Sequence, residues 1–419
     1  MNEPQQAPRE DRLMRHSFLL LVSSQVANVS NVLFHMVMGR NLTADEYGIL
    51  AAMLNLLLIV ATPLDALRGA MAHFTARAQR AGEPAVIRAL LRRWVGRVSV
   101  LALPVAGLAL VFRDSLAAFF HLATPLPIVL VALSLPAFLF APVLAGALQG
   151  VQAFVWMALS VHGWGVVRLL LGLAFVLAGW LTATAGVSAH ALGLLFGVLV
   201  GLLGVAAITR GAAAGGKATP GVGAYFINSL LLLAGYGILM NSDVMLVRHF
   251  QPDEAGLFSR AATIGRSVVF LPMPIAMAMF PKVISSGGST HGSRTTLLHA
   301  FGLVALLIGA AVAATCALPW LPLRVLYDVS EPTPEMIHLV RVVTLAMSPL
   351  GLTYLLLNFE MAQHRFQTIP WLLILATAYL GGVALWHDTV NQIILVLGAV
   401  SLLSAILFAA AYGRAHQSR

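Results

Sequence analysis

Twelve runs of about twenty mostly apolar residues follow one another through this chain, and each is long enough to cross a bilayer as a helix. They are expected at 16–38, 48–75, 95–112, 126–148, 154–178, 186–209, 223–249, 257–281, 296–317, 336–359, 367–386 and 391–412. No connection is long enough for a soluble domain. The fold class expected is therefore an all-α integral membrane protein with about 12 transmembrane helices. Composition agrees, since 59% of residues are hydrophobic, 10% are charged and the mean hydropathy is +0.88.

The net charge of +9 has a topological reading. Of the 25 Lys and Arg, sixteen fall in segments on the side of the amino terminus, while only Arg40, Arg113, Arg248 and Arg324 fall on the other side. Basic residues mark the cytoplasmic side of a membrane protein, so both termini are expected to be cytoplasmic, in a bacterial inner membrane. Basic residues strung between apolar segments do not form a nucleic-acid surface, and no nucleic acid is expected as a partner. The lone Cys316 excludes an internal disulfide and a cysteine metal cluster. MNEPQQAPRED at the amino end is polar, and no small-residue cleavage site follows it, which favours a retained first span over a signal peptide.

A repeat orders the spans. GRNLTADEYGIL, from Gly39 to Leu50, returns 208 positions later within NSDVMLVRHFQPDEAGLFSR, from Asn241 to Arg260. The shift pairs Arg40 with Arg248, Asp45-Glu46 with Asp253-Glu254, and Gly48 with Gly256. Upstream of each copy a helix carries polar residues at steps of three, four and seven, which return to one face. These are Ser17, Ser24, Asn28, Asn31 and His35 in the first copy, and Tyr225, Ser229, Tyr236 and Asp243 in the second. Two pseudo-symmetric six-helix bundles are expected, an N-terminal lobe at 1–212 and a C-terminal lobe at 223–419, joined by a Gly- and Ala-rich cytoplasmic linker at 213–222. Six spans per half insert with the same orientation, so the axis relating the halves runs along the membrane normal, with both polar stripes turned toward a central cleft.

Running into that linker, GAAAGGKA at Gly211 to Ala218 nearly spells a phosphate-binding loop, but Ala218 replaces the hydroxyl residue that would hold magnesium and no strand precedes it. Gly193, Gly197 and Gly201 recur every fourth residue in the sixth span, a packing pattern that lets helix backbones approach closely. Pro272, Pro274, Pro281 and Pro349 interrupt hydrogen-bond ladders and serve equally as bending points or as ordinary features of membrane helices.

Ionisable residues inside the spans carry more information, because they normally face an interior or a wet cavity. Arg168 lies near the middle of the fifth span with no acidic neighbour one turn away, so it needs a partner from another helix or an anionic ligand. Asp65 and Arg68 share one face of the second span just after Pro63, as a local ion pair or as part of a lumen. Asp243 extends the second stripe, and Arg266 lies too deep to reach the surface easily. Glu360 and Arg365 end the tenth span as an interfacial or a functional pair.

GRNLTADEYGILAAMLNLLLIVATPLDALRGAMAHFTARAQRAG, LQGVQAF at Leu148 to Phe154, NSDVMLVRHFQPDEAGLFSRAATIGR, PIAMAMFPKV at Pro274 to Val283 and PLGLTYLLLNFEMAQHR at Pro349 to Arg365 together resemble the oligosaccharide (O-antigen and polysaccharide) flippases of the multidrug/oligosaccharidyl-lipid/polysaccharide exporter superfamily. The resemblance covers nearly the whole chain. It implies a V-shaped cleft lined mainly by spans 1, 2, 7 and 8, opening alternately to either side. The cleft-lining residues it implies are Asn28, Asn31, His35, Arg68, Tyr236, Asn241, Asp243 and Arg266. Asp65-Arg68 and Glu360 depart from the usual pattern, and twelve spans in place of fourteen argue against the peptidoglycan-precursor flippases.

The function expected is translocation of a polyprenyl-diphosphate-linked oligosaccharide for cell-surface polysaccharide biosynthesis. Asn28, Asn31, Arg68, Arg168, Tyr236, Asn241 and Arg266 are the substrate-binding candidates, and His35, Asp65, Asp243 and Glu360 the coupling or gating candidates. Membrane lipids, proton or sodium coupling and a glycan polymerase complete the expected partners. No cofactor or metal site is expected. The alternative is a cation-coupled multidrug antiporter of the same superfamily, which would favour an acidic cavity; five arginines within the spans against Asp65, Asp243 and Glu360 count the other way. An enzyme is not expected, because no paired carboxylates sit with a base on a large loop.

Overall fold

The computed structural model describes residues 9–211, 223–276, 279, 290–363 and 365–417, and their regular structure is helical throughout. Eight of these helices are long and apolar enough to cross a membrane, or nine when the bent pair Phe226–Asn241 and Asp243–Phe250 is counted as one span. The chain is thus a multi-pass, all-α membrane protein. Of the other three expected spans, 16–38 lies within the 33-residue helix Arg9–Asn41, 257–281 runs into residues outside the described set, and 367–386 forms the 17-residue helix Ile369–Leu385. The linker at 213–222, with its near phosphate loop, also lies outside the described residues, as do Pro281 and the side chains of Ser17, Asp65 and Tyr225.

The helices group into two compact units. One comprises Met1–Met38, Leu67–Arg113 and Leu126–Gly221; the other comprises Gly39–Ala66, Asp114–Pro125 and Val222–Arg419. The break near 221 falls by the expected linker, whereas Gly39–Ala66 and Asp114–Pro125 pack with the second unit although they precede it in sequence.

In the first unit run α1 (Arg9–Asn41) as far as Met38, α3 (Asp65–Arg80) from Leu67 onward, and α4 (Pro84–Val111). After the excursion at Asp114–Pro125 come α6 (Leu126–Gly150), α7 (Phe154–Met157), a π-turn at Ala158–His162, α8 (Gly163–Leu177) and α9 (Ala183–Ile208). Packing of α6 and α8 on α9 uses the glycine ladder as its spacing predicts. A Cβ on Gly193 would lie 2.8 Å from the Trp164 carbonyl oxygen, and one on Gly197 would lie 2.7 Å from that of Ser160. The π-turn is held at the same seam, where the Ser160 hydroxyl donates to the Gly197 carbonyl at 2.7 Å.

The second unit begins with α2 (Ala44–Ala61), which Thr43 caps by accepting from the Glu46 amide at 3.2 Å. It continues with α5 (Arg113–Phe119) from Asp114, then α10 (Gly223–Asn241), α11 (Asp243–Phe250), α12 (Ala255–Phe270) and α13 (Thr290–Ala317). After them come α14 (Trp320–Tyr327), α15 (Pro334–Ala362), α16 (Ile369–Leu385) and α17 (Val390–Gln417). The stretch from Leu318 to Glu335 thus holds the short helix α14 and the start of α15. At the 47° bend between α10 and α11 the Asn241 side chain donates to the Gly237 carbonyl, and the Ser242 hydroxyl joins its own amide, at 3.1 Å, on the Ile238 carbonyl.

Helix α15 packs against α12, α13 and α17, and Pro349 sits inside it without breaking it. A proline leaves the carbonyl four residues earlier without its amide donor. Here the Ser348 hydroxyl donates to the Leu345 carbonyl at 3.0 Å, and Ser401, Thr353 and Tyr236 supply donors to the carbonyls of Ala346, Pro349 and Leu350. Apolar surroundings offer no water to do this, so hydroxyls from α10, α15 and α17 do it instead.

Candidate functional site

In the first unit the deepest charge is Arg168, only 3% exposed near the start of α8. Its guanidinium donates to Asn31 Oδ1 on α1 and reaches His190 Nδ1 on α9 at 3.2 Å. It also lies over the rings of Phe34 at 4.2 Å and Trp164 at 5.0 Å. All four partners are electrically neutral groups or a histidine. Among the described residues no ion pair neutralises Arg168, and its Nε and His190 Nε2 are buried without a hydrogen-bond partner. Gly172, one turn further along α8, clears room for this arrangement, since a Cβ there would lie 2.8 Å from Met38 Cε and 3.0 Å from Phe34.

The first polar stripe is accessible. Asn28 and Asn31 are exposed, and Ser24, His35 and Arg68 are half-buried. One turn before Asn28, the Ser23 hydroxyl meets His162 Nδ1 at 2.8 Å, tying α1 to the π-turn that precedes Arg168. The buried Arg168 of α8 is therefore bonded to a substrate-binding candidate, Asn31, that is exposed on α1. Neither His190 nor Trp164 was a sequence candidate; a histidine within an apolar span was the available signal for the first.

The second stripe differs from the expectation that it faces an open cleft. Ser229, Tyr236, Asn241, Asp243 and Arg266 are all buried. Tyr236 donates to the Leu350 carbonyl at 3.3 Å and packs against Tyr354. Asp243 and Arg266 form an ion pair at 2.5 Å, so the acidic residue on α11 is already matched by a cation from α12. The pair is not fully satisfied: Asp243 Oδ2 and Arg266 Nε lack partners, as do the buried oxygens of Ser229, Tyr379 and Asn55. The physical reason for the difference is that a tyrosine on a helical stripe fills a core as readily as a cavity when its hydroxyl finds a carbonyl, as that of Tyr236 does. Glu360, by contrast, is half-buried at the far end of α15, away from this pair in sequence, and the Thr368 hydroxyl donates to it.

The repeat itself brings its two copies into contact. Helix α2 crosses α12 where Gly48 meets Gly256, and a Cβ on Gly48 would lie 3.0 Å from the Gly256 nitrogen. Beside the crossing, Arg248 is 2% exposed and pairs with Asp45 of the other copy. It also donates to the carbonyls of Phe120 and His121 at 2.9 Å each. Arg40, its counterpart, donates to the Val325 carbonyl. The 208-residue shift places 113–119, the span of α5, on 321–327, within α14. Each repeat arginine thus grips the short helix that belongs to the other half of the sequence. Tyr47 completes the seam by bonding Tyr327 at 3.1 Å and Thr263 at 3.2 Å. Among the described residues no group of three or more His, Cys, Asp or Glu is placed to hold a metal ion.

Solved structures share this arrangement over nearly the full length. An inward-facing multidrug resistance MATE family transporter of the MOP superfamily matches with a TM-score of 0.71 at 14% identity, covering 94% of each chain. The lipid II flippase MurJ, in an inward closed conformation, also gives a TM-score of 0.71, at 11% identity, covering 94% of this chain and 87% of that one. The chain has the fold of these transporters. A eukaryotic MATE transporter shares this MATE and MurJ fold as well, at a TM-score of 0.63 and 13% identity over 96% of each chain. No family model matches the sequence, and no curated protein does. The fold is one borne by transporters and flippases.

Proposed function

We propose that the chain is a flippase that moves a polyprenyl-diphosphate-linked oligosaccharide across a bacterial cytoplasmic membrane by alternating access, with both termini in the cytoplasm and six-helix lobes at 1–212 and 223–419. The observation that carries the reading is Arg168. A buried guanidinium held only by neutral groups, next to the exposed Asn28 and Asn31, leaves an unbalanced positive charge close to an accessible polar edge. A diphosphate supplies the missing charge through charge-assisted hydrogen bonds stronger than the one Asn31 offers. Asn28, Asn31 and Arg68 then face the headgroup and its sugars, while the polyprenyl tail stays in lipid.

The resemblance of the repeat and of the Pro349–Arg365 segment to oligosaccharide flippases supports the same cargo class, and so does the shared fold with MurJ. The fold shared with MATE transporters favours the alternative, a cation-coupled multidrug antiporter. Against it stands Asp243, the deepest carboxylate, whose charge is taken up by Arg266. Proton or sodium coupling through His35, Asp65 or Glu360 belongs to either reading.

The deciding experiment is leaflet exchange of a fluorescent polyprenyl-diphosphate oligosaccharide in proteoliposomes, with wild type and Arg168→Ala compared. Exchange by the wild type, reduced in Arg168→Ala at equal reconstitution, is the expected result. Proton-driven efflux of a cationic dye, with no exchange of several glycan lipids, would replace the flippase by the antiporter.

A further inference from the structure

Helix α4 presents two different surfaces along its outer side. Ile87, Leu91, Trp94 and Val98 are buried in one stripe, and the helix packs against α6. At about 100° per residue the opposite arc holds Arg88, Arg92, Arg93, Gly96 and Arg97, all exposed. Further along, the same arc holds Val100, Leu103 and Val111, also exposed. A charged face thus gives way to an apolar one within a single turn, as it does where a helix enters hydrocarbon. With a rise of about 1.5 Å per residue, Arg97, Arg93 and Arg92 lie within about 12 Å of Val100, so their side chains reach the layer of the lipid headgroups.

The charge on that face is concentrated. Between positions 77 and 97 six arginines stand against one acid, Glu83. Among the described residues no ion pair joins Arg92, Arg93 or Arg97. Arg97 lies over the Trp94 ring at 5.1 Å, which seats the guanidinium against the helix and leaves its charge in place. Gly96 sits in the middle of the arc, and a Cβ on it would meet nothing within 4 Å, so a ligand can approach the backbone between the three guanidiniums. Orienting the chain in a bilayer asks only for a net positive charge on one side. Three guanidiniums around an open position, at the edge of an apolar face, suit a ligand that carries a phosphate above a hydrocarbon tail.

We propose that this face of α4 binds an anionic phospholipid of the phosphatidylglycerol type. Arg93 and Arg97, one turn apart, donate to the headgroup phosphate, Arg92 approaches it from the other side of Gly96, and an acyl chain runs along Val100, Leu103 and Val111. A zwitterionic headgroup would bring an ammonium or a choline cation into the same field of guanidiniums. An acidic soluble protein is a poorer fit, because it would have to enter the headgroup layer to reach Arg97 and would leave the apolar continuation of the face unused. The surface involves none of the residues assigned to the diphosphate, so it stands whatever the transported cargo is.

The test uses the full chain in nanodiscs of equal phosphatidylglycerol and phosphatidylethanolamine, released into mild detergent, with the retained lipids counted by native mass spectrometry. A basic residue close to a membrane surface contributes roughly fivefold to the affinity for an anionic lipid. The wild type is expected to favour phosphatidylglycerol, and Arg93→Gln and Arg97→Gln should each lower its ratio to phosphatidylethanolamine by about fivefold. Arg97→Lys, which keeps the charge, should preserve most of the preference. Arg324→Gln removes one exposed charge from α14 in the second unit and should leave the ratio unchanged. Equal retention of the two lipids by the wild type overturns the proposal without recourse to any variant. So does a preference that survives in both Arg93→Gln and Arg97→Gln, or an equal fall in Arg324→Gln, which would assign the preference to net charge alone. Every position changed is exposed, so the buried stripe that holds α4 on α6 is intact in each variant of that helix.

Discussion

A guanidinium in the middle of a bilayer costs several kcal/mol unless its donors and its charge are both answered. Arg168 has its two terminal nitrogens answered by Asn31 and His190 and its face by two aromatic rings, and its Nε and its charge by nothing among the described residues. Lysine keeps the charge but offers neither the planar face nor two divergent donors. Arg168→Lys is therefore expected to lower stability by about 1–3 kcal/mol, measured by thermal unfolding in detergent. An unchanged midpoint would mean that the network is not holding α1, α8 and α9 together. A second residue-scale effect sits outside the spans, at Glu254. Burial, reinforced by the carboxylates of Glu335 and Asp253, raises its pKa above the ordinary value of 4.5. A carboxyl with a raised folded-state pKa binds its proton more tightly when folded, so its stabilising contribution is present below pH 4.5 and is lost as pH rises through the elevated value. Glu254→Gln should flatten that part of the stability profile in a pH series of melting curves, whereas a profile unaltered by the substitution would assign the dependence elsewhere.

Among the elements, the crossing of α2 and α12 is set by two glycines that the sequence repeat had already paired. A Cβ on Gly256 would overlap the Ala44 backbone, which cannot rotate away as a side-chain tip could. Gly256→Ala should cost about 1–3 kcal/mol, while Gly302→Ala, with open space around it, should be neutral or stabilising. Equal melting of the two variants would remove the crossing as a constraint. The clamp on α5 gives a dynamic readout. With Arg248→Met, the carbonyls of Phe120 and His121 lose their buried donor, and amide exchange in 114–125 is expected to accelerate while α6 stays protected. These elements show where sequence reading succeeds and where it stops. The arginines and the paired glycines were legible because each is a fixed spacing within the repeat. That Arg248 would grip α5 and Arg40 would grip α14 was not, because the partners are backbone carbonyls, which carry no residue signature. The same blindness applies to Pro349, whose freed carbonyl, that of Leu345, is answered by Ser348, which looks like an ordinary serine in a helix.

For the molecule as a whole, length and hydropathy of the runs sufficed to give the fold class, since a bilayer leaves a chain of this kind few alternatives to helices. Which polar residues would be accessible was beyond periodicity, because a 3.6-residue repeat identifies a face and not what covers it; Asn28 and Asn31 of the first stripe are exposed, and Ser229, Tyr236 and Asp243 of the second are buried. Orientation is the remaining global property, and it decides the direction of any transport. Sixteen basic residues against four predict that the turn around Glu83 is cytoplasmic and the cap around Glu331 is on the opposite side. Both positions are exposed, so both can be labelled. Cys316 is replaced first, by serine; the bond from Arg341 Nε uses its backbone carbonyl and survives the exchange. In intact cells a membrane-impermeant maleimide should then label Glu331→Cys and spare Glu83→Cys until the membrane is permeabilised. The opposite pattern would put the basic turns outside, invert the leaflet from which a diphosphate reaches Arg168, and withdraw the proposed direction of flipping while leaving the fold untouched.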